Sequence, residues 1–426
     1  MKKRFTIVNV LLGFYLVIFV LHFTIAQVFL PSLTNIYYAS IFLCLVLLLR
    51  KNRLNTIVLP LVLAAILSLI FSTNTSVDTY LRFVSWLVIL AVAAPVFQNK
   101  EINLFRDRLW DWLIYIFIFI VIGSLIWVSL KLPSFNVGRL PEFYGKYYLR
   151  NGISLHEMVL APMAGITSLY AWYHLFFLRP EKKKKLLLIA LFFISCIVML
   201  MASSRTVLVA IVLTWLFSFV ISFNVFSRAI KKNIGVVSIV VILLILSIAP
   251  ALAYFSDFLE NSTRIVYKGT NNSREGLWKA RLADFQINPL SGAGFATVSK
   301  KVMARNNVQS GVSDSGQVEF GALYGHALST MGLIGLMTLL ILFARLLMIG
   351  LKHRKKPGAH LYLTIFVFLA LQNLAETHIL TSGAILCVFS WLLYTKIHNL
   401  QYVHLVVDEA SPPLKSLQND PFVFNR

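Results

Sequence analysis

Residues 182–205 decide the fold class, and they read KKKKLLLIALFFISCIVMLMASSR. Four lysines precede an apolar block, 186–202, that contains no charged side chain. Two serines and an arginine then separate this block from a second one, 206–224. A helix of about 20 apolar residues spans the ~30 Å hydrocarbon core of a bilayer. A surface helix of a soluble protein would show a polar face, and these blocks have none. The stretch therefore predicts two transmembrane helices.

The same pattern recurs along the whole chain. Hydrophobic residues make up 58% of the 426 residues and charged residues 13%, whereas soluble domains carry about 25% charged residues. The sequence predicts an all-α integral membrane protein with about 12 transmembrane helices. The predicted spans lie near 6–24, 34–49, 55–71, 79–97, 111–130, 154–178, 186–202, 206–224, 233–255, 321–349, 359–373 and 379–396.

Basic residues predict the orientation of these spans. Connections rich in Lys and Arg alternate with connections such as 71–78, which has neither, and Lys/Arg-rich connections face the cytoplasm. Both termini are therefore predicted to be cytoplasmic, and the N-terminal apolar run is expected to stay as the first helix because no clear cleavage site follows it. The net charge of +22 is assigned to topology, so nucleic acid is not an expected partner.

Four regions follow from this topology. We predict transmembrane helices 1–9 in residues 1–255, with short loops between them. Residues 256–320 form one long extracytoplasmic loop between spans 9 and 10 that contains short helices. Transmembrane helices 10–12 lie in residues 321–396, and residues 397–426 form a cytoplasmic tail.

The long loop contains a candidate anion site. A helix is predicted from Ser273 to about Phe285, and Pro289 with the two glycines after it predicts a tight turn. Arg274, Trp278 and Arg281 are spaced by four and three, so they share one helical face. Two guanidinium groups on one face suit a diphosphate. The alternative is an amphipathic helix on lipid headgroups, and the spacing favours neither.

Other basic residues on the predicted outer side extend this candidate site. Arg205 follows two serines at the boundary of a span, where burying a charge is costly and points to function. The alternative is an arginine that reaches water along the membrane surface. Arg150 and Arg264 lie in outer segments and are candidate substrate contacts, because an anionic ligand would explain basic residues on this side.

Acid–base candidates follow the long loop. Glu319 and His326 are seven residues apart, so they lie on one helical face, and Asp314 precedes them. A carboxylate or imidazole there can accept a proton from a sugar hydroxyl. The alternatives are a carboxylate favoured by the helix dipole and a histidine bonded to a neighbouring helix. Glu376 and His378 are candidate substrate contacts near the last span, and His156 and Glu157 are weaker candidates.

Metal and cofactor chemistry is not predicted. Cys44, Cys196 and Cys387 all fall in apolar blocks and are too widely spaced to indicate a metal or disulfide framework. No phosphate-binding loop, paired aspartates for Mg²⁺, or His/Cys cluster is present in the sequence. We therefore expect neither a metal nor a cofactor.

Three pieces of sequence resemble one family. They are Ser204-Arg205; Arg274 with Trp278-x-Ala280 and Asn288-Pro289-Leu290-x-Gly292-x-Gly294; and Gly332-Leu333-Ile334-Gly335. Their order and spacing resemble the O-antigen polymerase and O-antigen ligase superfamily of bacterial envelope proteins.

The resemblance implies a metal-independent glycosyltransferase of the bacterial inner membrane, with its active site facing the periplasm. The donor would be a glycan linked to undecaprenyl diphosphate, and the acceptor a glycan or lipid A-core. Implied partners are the lipid bilayer and a chain-length regulator. Arg205, Arg274 and Arg281 would bind the diphosphate, and Glu319, His326 or Asp314 would accept the proton.

Three functions compete. A polymerase of O-antigen, capsule or exopolysaccharide repeat units is favoured, because the stretch Asp314-Ser315-Gly316 resembles the acidic pattern of polymerases. A ligase would carry a histidine about twelve residues before Gly332, whereas His326 is only six before it. A transporter or flippase of lipid-linked oligosaccharide should carry ionisable residues near the middle of several spans, and the apolar blocks have few.

Overall fold

The computed structural model describes residues 2–30, 33–48, 53–72, 77–132, 152–154, 156–178, 180–202, 204–222, 275–297, 322–383 and 385–402. Within these ranges, the side chains of 2–7, 28, 157, 205 and 275–277 are not described. The described part is almost entirely helical. Its only sheet pairs two short strands, β1 (Arg53–Leu54) and β2 (Phe97–Gln98), in antiparallel register.

The described residues form thirteen helices. In chain order they are α1 (Lys2–Phe23), α2 (Ala26–Phe29), α3 (Leu33–Leu48), α4 (Leu59–Ile70), α5 (Val77–Ala93), α6 (Lys100–Ser129), α7 (Glu157–Phe177), α8 (Lys182–Met201), α9 (Arg205–Ile221), α10 (Glu275–Ile287), α11 (Leu323–Lys352), α12 (Ala359–Gln372) and α13 (Ile385–Asn399).

Described helices overlap eleven of the twelve predicted spans. The ninth predicted span, 233–255, lies outside the described residues, as do 256–274 and 298–320 of the predicted loop. In the part of the chain that the structure describes, three helices, α6, α8 and α11, are long and apolar enough to cross a membrane, and shorter apolar helices accompany them. The protein is thus a helical membrane protein, while the number of spans and the loop topology stay predictions.

The start of α6 differs from the predicted span. The helix begins at Lys100 instead of near residue 111, because the Asn99 side chain caps it by accepting a hydrogen bond from the Ile102 N–H at 2.7 Å. One turn later, Arg106 is buried rather than part of an exposed basic connection. Its guanidinium donates to carbonyls at the end of α5 and beyond, those of Ala91, Val92 and Phe97. It satisfies carbonyls that a helix end leaves without partners.

Helix α11 is the element around which the candidate site is built. It packs against α4, α10, α12 and α13. Its backbone breaks at Gly332, where φ is 64° and ψ is −163°. This interruption lies nine residues into an apolar helix, so the chain must satisfy the freed backbone groups by other means.

Candidate active site at the break in helix α11

The segment that follows α10, residues 288–297, pairs with the backbone of α11 at its break. At the break, the N–H groups of Leu333 and Ile334 donate to the carbonyls of Pro289 and Leu290 at 2.8 and 3.3 Å. In return, the N–H groups of the segment donate to the carbonyls of α11 just before the break, Ala293 to Ser329 at 2.8 Å and Gly294 to Thr330 at 3.0 Å. Backbone groups that the interrupted helix leaves open are thus paired by this segment.

Glycines make this pairing possible. A Cβ on Gly332 would lie 2.2 Å from the Leu290 carbonyl oxygen, and one on Gly292 would lie 2.4 Å from the carbonyl carbon of Thr330. Both glycines also have positive φ, 64° and 74°, which side chains disfavour. The predicted tight turn after Pro289 is confirmed, since the Gly292 N–H closes it by donating to the Asn288 carbonyl at 2.8 Å. Two pieces of the recognised sequence pattern therefore meet backbone to backbone.

Helices α4 and α5 hold the other side of this segment. The Ser68 hydroxyl accepts from the Phe295 N–H at 3.0 Å, and the Ser72 hydroxyl donates to the Ala293 carbonyl at 2.5 Å. The Phe295 ring lies 4.8 Å from Trp86, centroid to centroid. Arg82 donates to the carbonyl of Ala296 at 3.4 Å. The segment is therefore fixed between α11 and the pair α4 and α5.

Helix α10, which packs against α11, carries the buried ion pair of Arg281 and Asp284. The side chains of Arg281 and Asp284 are 4% and 1% exposed, and their closest charged atoms, Nη1 and Oδ2, are 3.9 Å apart. Burial lowers the pKa of the Arg281 guanidinium to about 10, with a partly compensating effect of Asp284. Burial raises the pKa of the Asp284 carboxyl to about 6, although Arg281 lowers it in part. Burial thus disfavours the charged form of both groups.

His326 completes this group from the side of α11. It lies in the first turn of that helix and is fully buried. The Arg281 guanidinium is within electrostatic range of its imidazole. The backbone carbonyl of His326 accepts hydrogen bonds from the hydroxyls of Ser329 and Thr330. A cation and a carboxylate on α10 therefore lie near an imidazole in the part of α11 that precedes the break.

The turn after α12 caps the same end of α11. The Leu323 N–H donates to the carbonyls of Asn373 and Glu376 at 2.9 and 3.1 Å. His378, which follows, is 2.8 Å from the amide nitrogen of Gln372 through its Nε2. Glu376 and His378 thus lie at the end of α11 that carries His326, which keeps them candidates for substrate contact.

The remaining predicted site residues are only partly described. Trp278 is on α10 and is 46% exposed, in contrast to Arg281. Arg205 is the first residue of α9, and its side chain is not described; His156 caps α7 by accepting from the Met158 N–H. Outside the described residues lie Arg150, Arg264, Arg274, Asp314 and Glu319.

Two residues of this region were missed from the sequence. Asp284 follows Arg281 by three residues, a spacing that places both on one helical face, and this signal was available. Arg82 lies within the predicted span 79–97, and a charge inside an apolar block was a second signal. In the described part of the chain, no group of His, Cys, Asp and Glu side chains has a metal-binding arrangement.

A broken apolar helix, closed by a second segment and flanked by buried charges, defines a membrane protein with a polar site at one end of its helices. Residues 190–340 match the family model Wzy_C, described as O-antigen ligase. This match confirms the resemblance to the O-antigen polymerase and ligase superfamily, and it covers the second half of α8, then α9, α10 and the break in α11. It indicates a membrane enzyme of the O-antigen ligase or polymerase type. A search of curated proteins found no match.

Proposed function

We propose that this protein transfers glycan from undecaprenyl diphosphate to a sugar acceptor and thereby polymerises repeat units of an envelope polysaccharide. The observation that carries the proposal is the buried Arg281, which lies within electrostatic range of His326, on a helix that packs against α11. A guanidinium held in a low-dielectric site binds a phosphate group more strongly than one in water. The family match supports the same reaction class.

The reaction is a displacement at the anomeric carbon of the donor glycan. The acceptor hydroxyl oxygen forms the new glycosidic bond, and the bond between the anomeric carbon and the diphosphate oxygen breaks. The electron pair leaves with the diphosphate, and a base takes the hydroxyl proton. Arg281 stabilises the charge that develops on the diphosphate, together with Arg205 and Arg274. Of the predicted proton acceptors Glu319, His326 and Asp314, the described residues include His326.

A matched pair of variants tests the role of Arg281. Arg281→Lys keeps the charge but removes the planar fork that binds phosphate through two hydrogen bonds, so we expect the rate of glycan transfer to fall about 100-fold. Lys279→Ala is the control, because Lys279 is an exposed cation two residues earlier on α10. Rates are measured at equal amounts of folded protein. Equal rates in the two variants would reject the assignment of Arg281.

Purified protein in vesicles with lipid-linked repeat units tests the reaction itself. A polymerase lengthens the lipid-linked chains without any other acceptor, and chelating agents leave this rate unchanged. Movement of the substrate across the bilayer without new glycosidic bonds would instead identify a transporter.

Ligation is the second candidate, because the matched family model is described as O-antigen ligase. A ligase leaves single repeat units unchanged until lipid A-core is added, and then it transfers glycan to that acceptor. The two enzymes also differ in cells. Loss of a polymerase leaves single-repeat glycans on the surface, whereas loss of a ligase leaves long polymer on the lipid carrier.

The proposed site must face the periplasm, where the lipid-linked donor is presented. We expect a reporter fused after Lys268 to lie outside the cytoplasm and one fused in the tail 397–426 to lie inside it. The two fusions control for each other, since they are predicted on opposite sides of the inner membrane. A cytoplasmic location after Lys268 would contradict the proposed reaction, because no donor would reach the site.

A further inference from the structure

Asp284 differs from an ordinary partner of an arginine. Its side chain is 1% exposed, and the distance of 3.9 Å to Arg281 is too long for a hydrogen bond. Neither carboxylate oxygen accepts a hydrogen bond from the described part of the chain. A carboxylate buried in this way is held in its charged form only weakly, because desolvation opposes the charge and no donor stabilises it.

A bound diphosphate would make the charged form of Asp284 still less favourable. The proposed donor carries negative charge to the same guanidinium that Asp284 faces. Three groups would then compete within a few ångströms: one cation and two anions. Two anions in one poorly solvated site raise the pKa of the weaker acid until it takes up a proton. The carboxyl of Asp284 is the weaker acid, since both phosphates of a glycosyl lipid diphosphate are strong acids.

We propose that Asp284 takes up one proton when the diphosphate of the donor binds to Arg281, so that donor binding is coupled to proton uptake. The neutral carboxyl then has a hydrogen to donate toward the diphosphate and no longer competes with it for the guanidinium. This inference rests on the proposed function, because it requires a diphosphate at Arg281.

The protonation state of Asp284 in the protein without ligand fits this coupling. The pKa of Asp284 is raised to about 6 before any diphosphate binds, so at neutral pH most molecules hold the charged form. Among the described residues, Arg281 on the same helix is the charged group beside Asp284. His326 on α11, the helix against which α10 packs, is within electrostatic range of Arg281. Arg281 stays protonated near neutral pH, so Asp284 and His326 are the groups that a test must separate.

The direct test measures protons. A short-chain glycosyl alkyl diphosphate is used as the probe, because the charge of its two phosphates is constant between pH 5 and 8. Binding to the purified protein in lipid nanodiscs is measured by calorimetry at pH 7.5 in buffers of different ionisation enthalpy. We expect uptake of about one proton per molecule of probe bound. Binding without proton uptake would overturn the inference, and it would leave the proposed function standing.

The pH dependence identifies the group. Above the pKa of about 6, each bound probe must bring a proton, so the affinity of the wild-type protein should fall about tenfold per pH unit between pH 6.5 and 8. Asp284→Asn is permanently neutral, so its affinity should stay high and change less than about twofold over this range. Asp284→Glu should restore the pH dependence.

Two outcomes contradict the inference in different ways. A pH dependence that persists in Asp284→Asn and disappears in His326→Asn would assign the proton to the histidine and reject Asp284. Failure of the wild-type protein to bind the probe at any pH would reject the inference together with the proposed function. If Asp284→Asn does not fold, the calorimetric measurement on His326→Asn decides: proton uptake that persists supports Asp284, and proton uptake that is lost rejects it.

Discussion

Replacing Gly332 by alanine should separate the two arms of α11 from the segment that joins them. The φ of 64° and ψ of −163° at this position belong to a region that only glycine occupies readily, and forcing another residue there costs roughly 1–3 kcal/mol. The new Cβ would also lie 2.2 Å from the Leu290 carbonyl oxygen and 2.6 Å from the Ser291 nitrogen. Both are backbone atoms, which cannot turn away as a flexible side chain can.

The clash puts the four hydrogen bonds between this segment and α11 at risk. Each is worth about 1 kcal/mol, and more if a buried group is left without a partner. We therefore expect Gly332→Ala to lose about 3 kcal/mol or more of stability. Because the same segment continues from α10, which carries Arg281, we also expect the transfer rate to fall by roughly 100-fold.

Gly325→Ala is the matched control on the same helix. A Cβ at Gly325 meets nothing within 4 Å, and alanine favours a helix over glycine by about 1 kcal/mol. Thermal unfolding in detergent and the rate of glycan transfer are compared for both variants. Equal melting temperatures and rates in the two would refute the reasoning, because the break would then not depend on glycine.

Two further substitutions test the parts around the site. Arg106→Met removes the donor for three carbonyls near the end of α5. It should lower the free energy of unfolding by about 2–4 kcal/mol, measured by thermal unfolding. Lys100→Met, at an exposed position of the same helix, is the control and should cost less. Ser68→Ala removes the acceptor for the Phe295 N–H and should lower the free energy of unfolding by about 1–2 kcal/mol. Ser85→Ala is the control, because the Ser85 hydroxyl donates to a carbonyl of its own helix. An equal loss of stability in the two variants would contradict the docking of the segment on Ser68.

The helices were predictable from the sequence because hydropathy is a local property. An apolar block of the right length must be a helix in a bilayer, whatever its neighbours are, and eleven of the predicted blocks contain described helices. Their ends were less predictable. The polar residues 100–110 looked like a connection, but the Asn99 cap and the buried Arg106 make them the first turns of α6.

The break in α11 was not predictable from the same signal. Residues 321–349 form one continuous apolar block, and the block does not show that its helix is interrupted at Gly332. The pieces Asn288-Pro289-Leu290 and Gly332-Leu333-Ile334 were recognised separately, but nothing in either piece indicates that they contact each other. This contact depends on the fold, because about forty residues separate the two pieces in sequence.

The structure also separates two kinds of residue within the recognised pattern. The side chains of Leu290 and Leu333 are 66% and 46% exposed, so the pattern does not use them to build a polar pocket. What the pattern supplies here is close backbone approach, at Gly292 and Gly332. The chemistry lies one helix away, on Arg281 and its neighbours. Because α10 leads directly into the docked segment, the backbone pairing at the break fixes the position of Arg281. A substitution that disrupts this pairing should therefore displace Arg281.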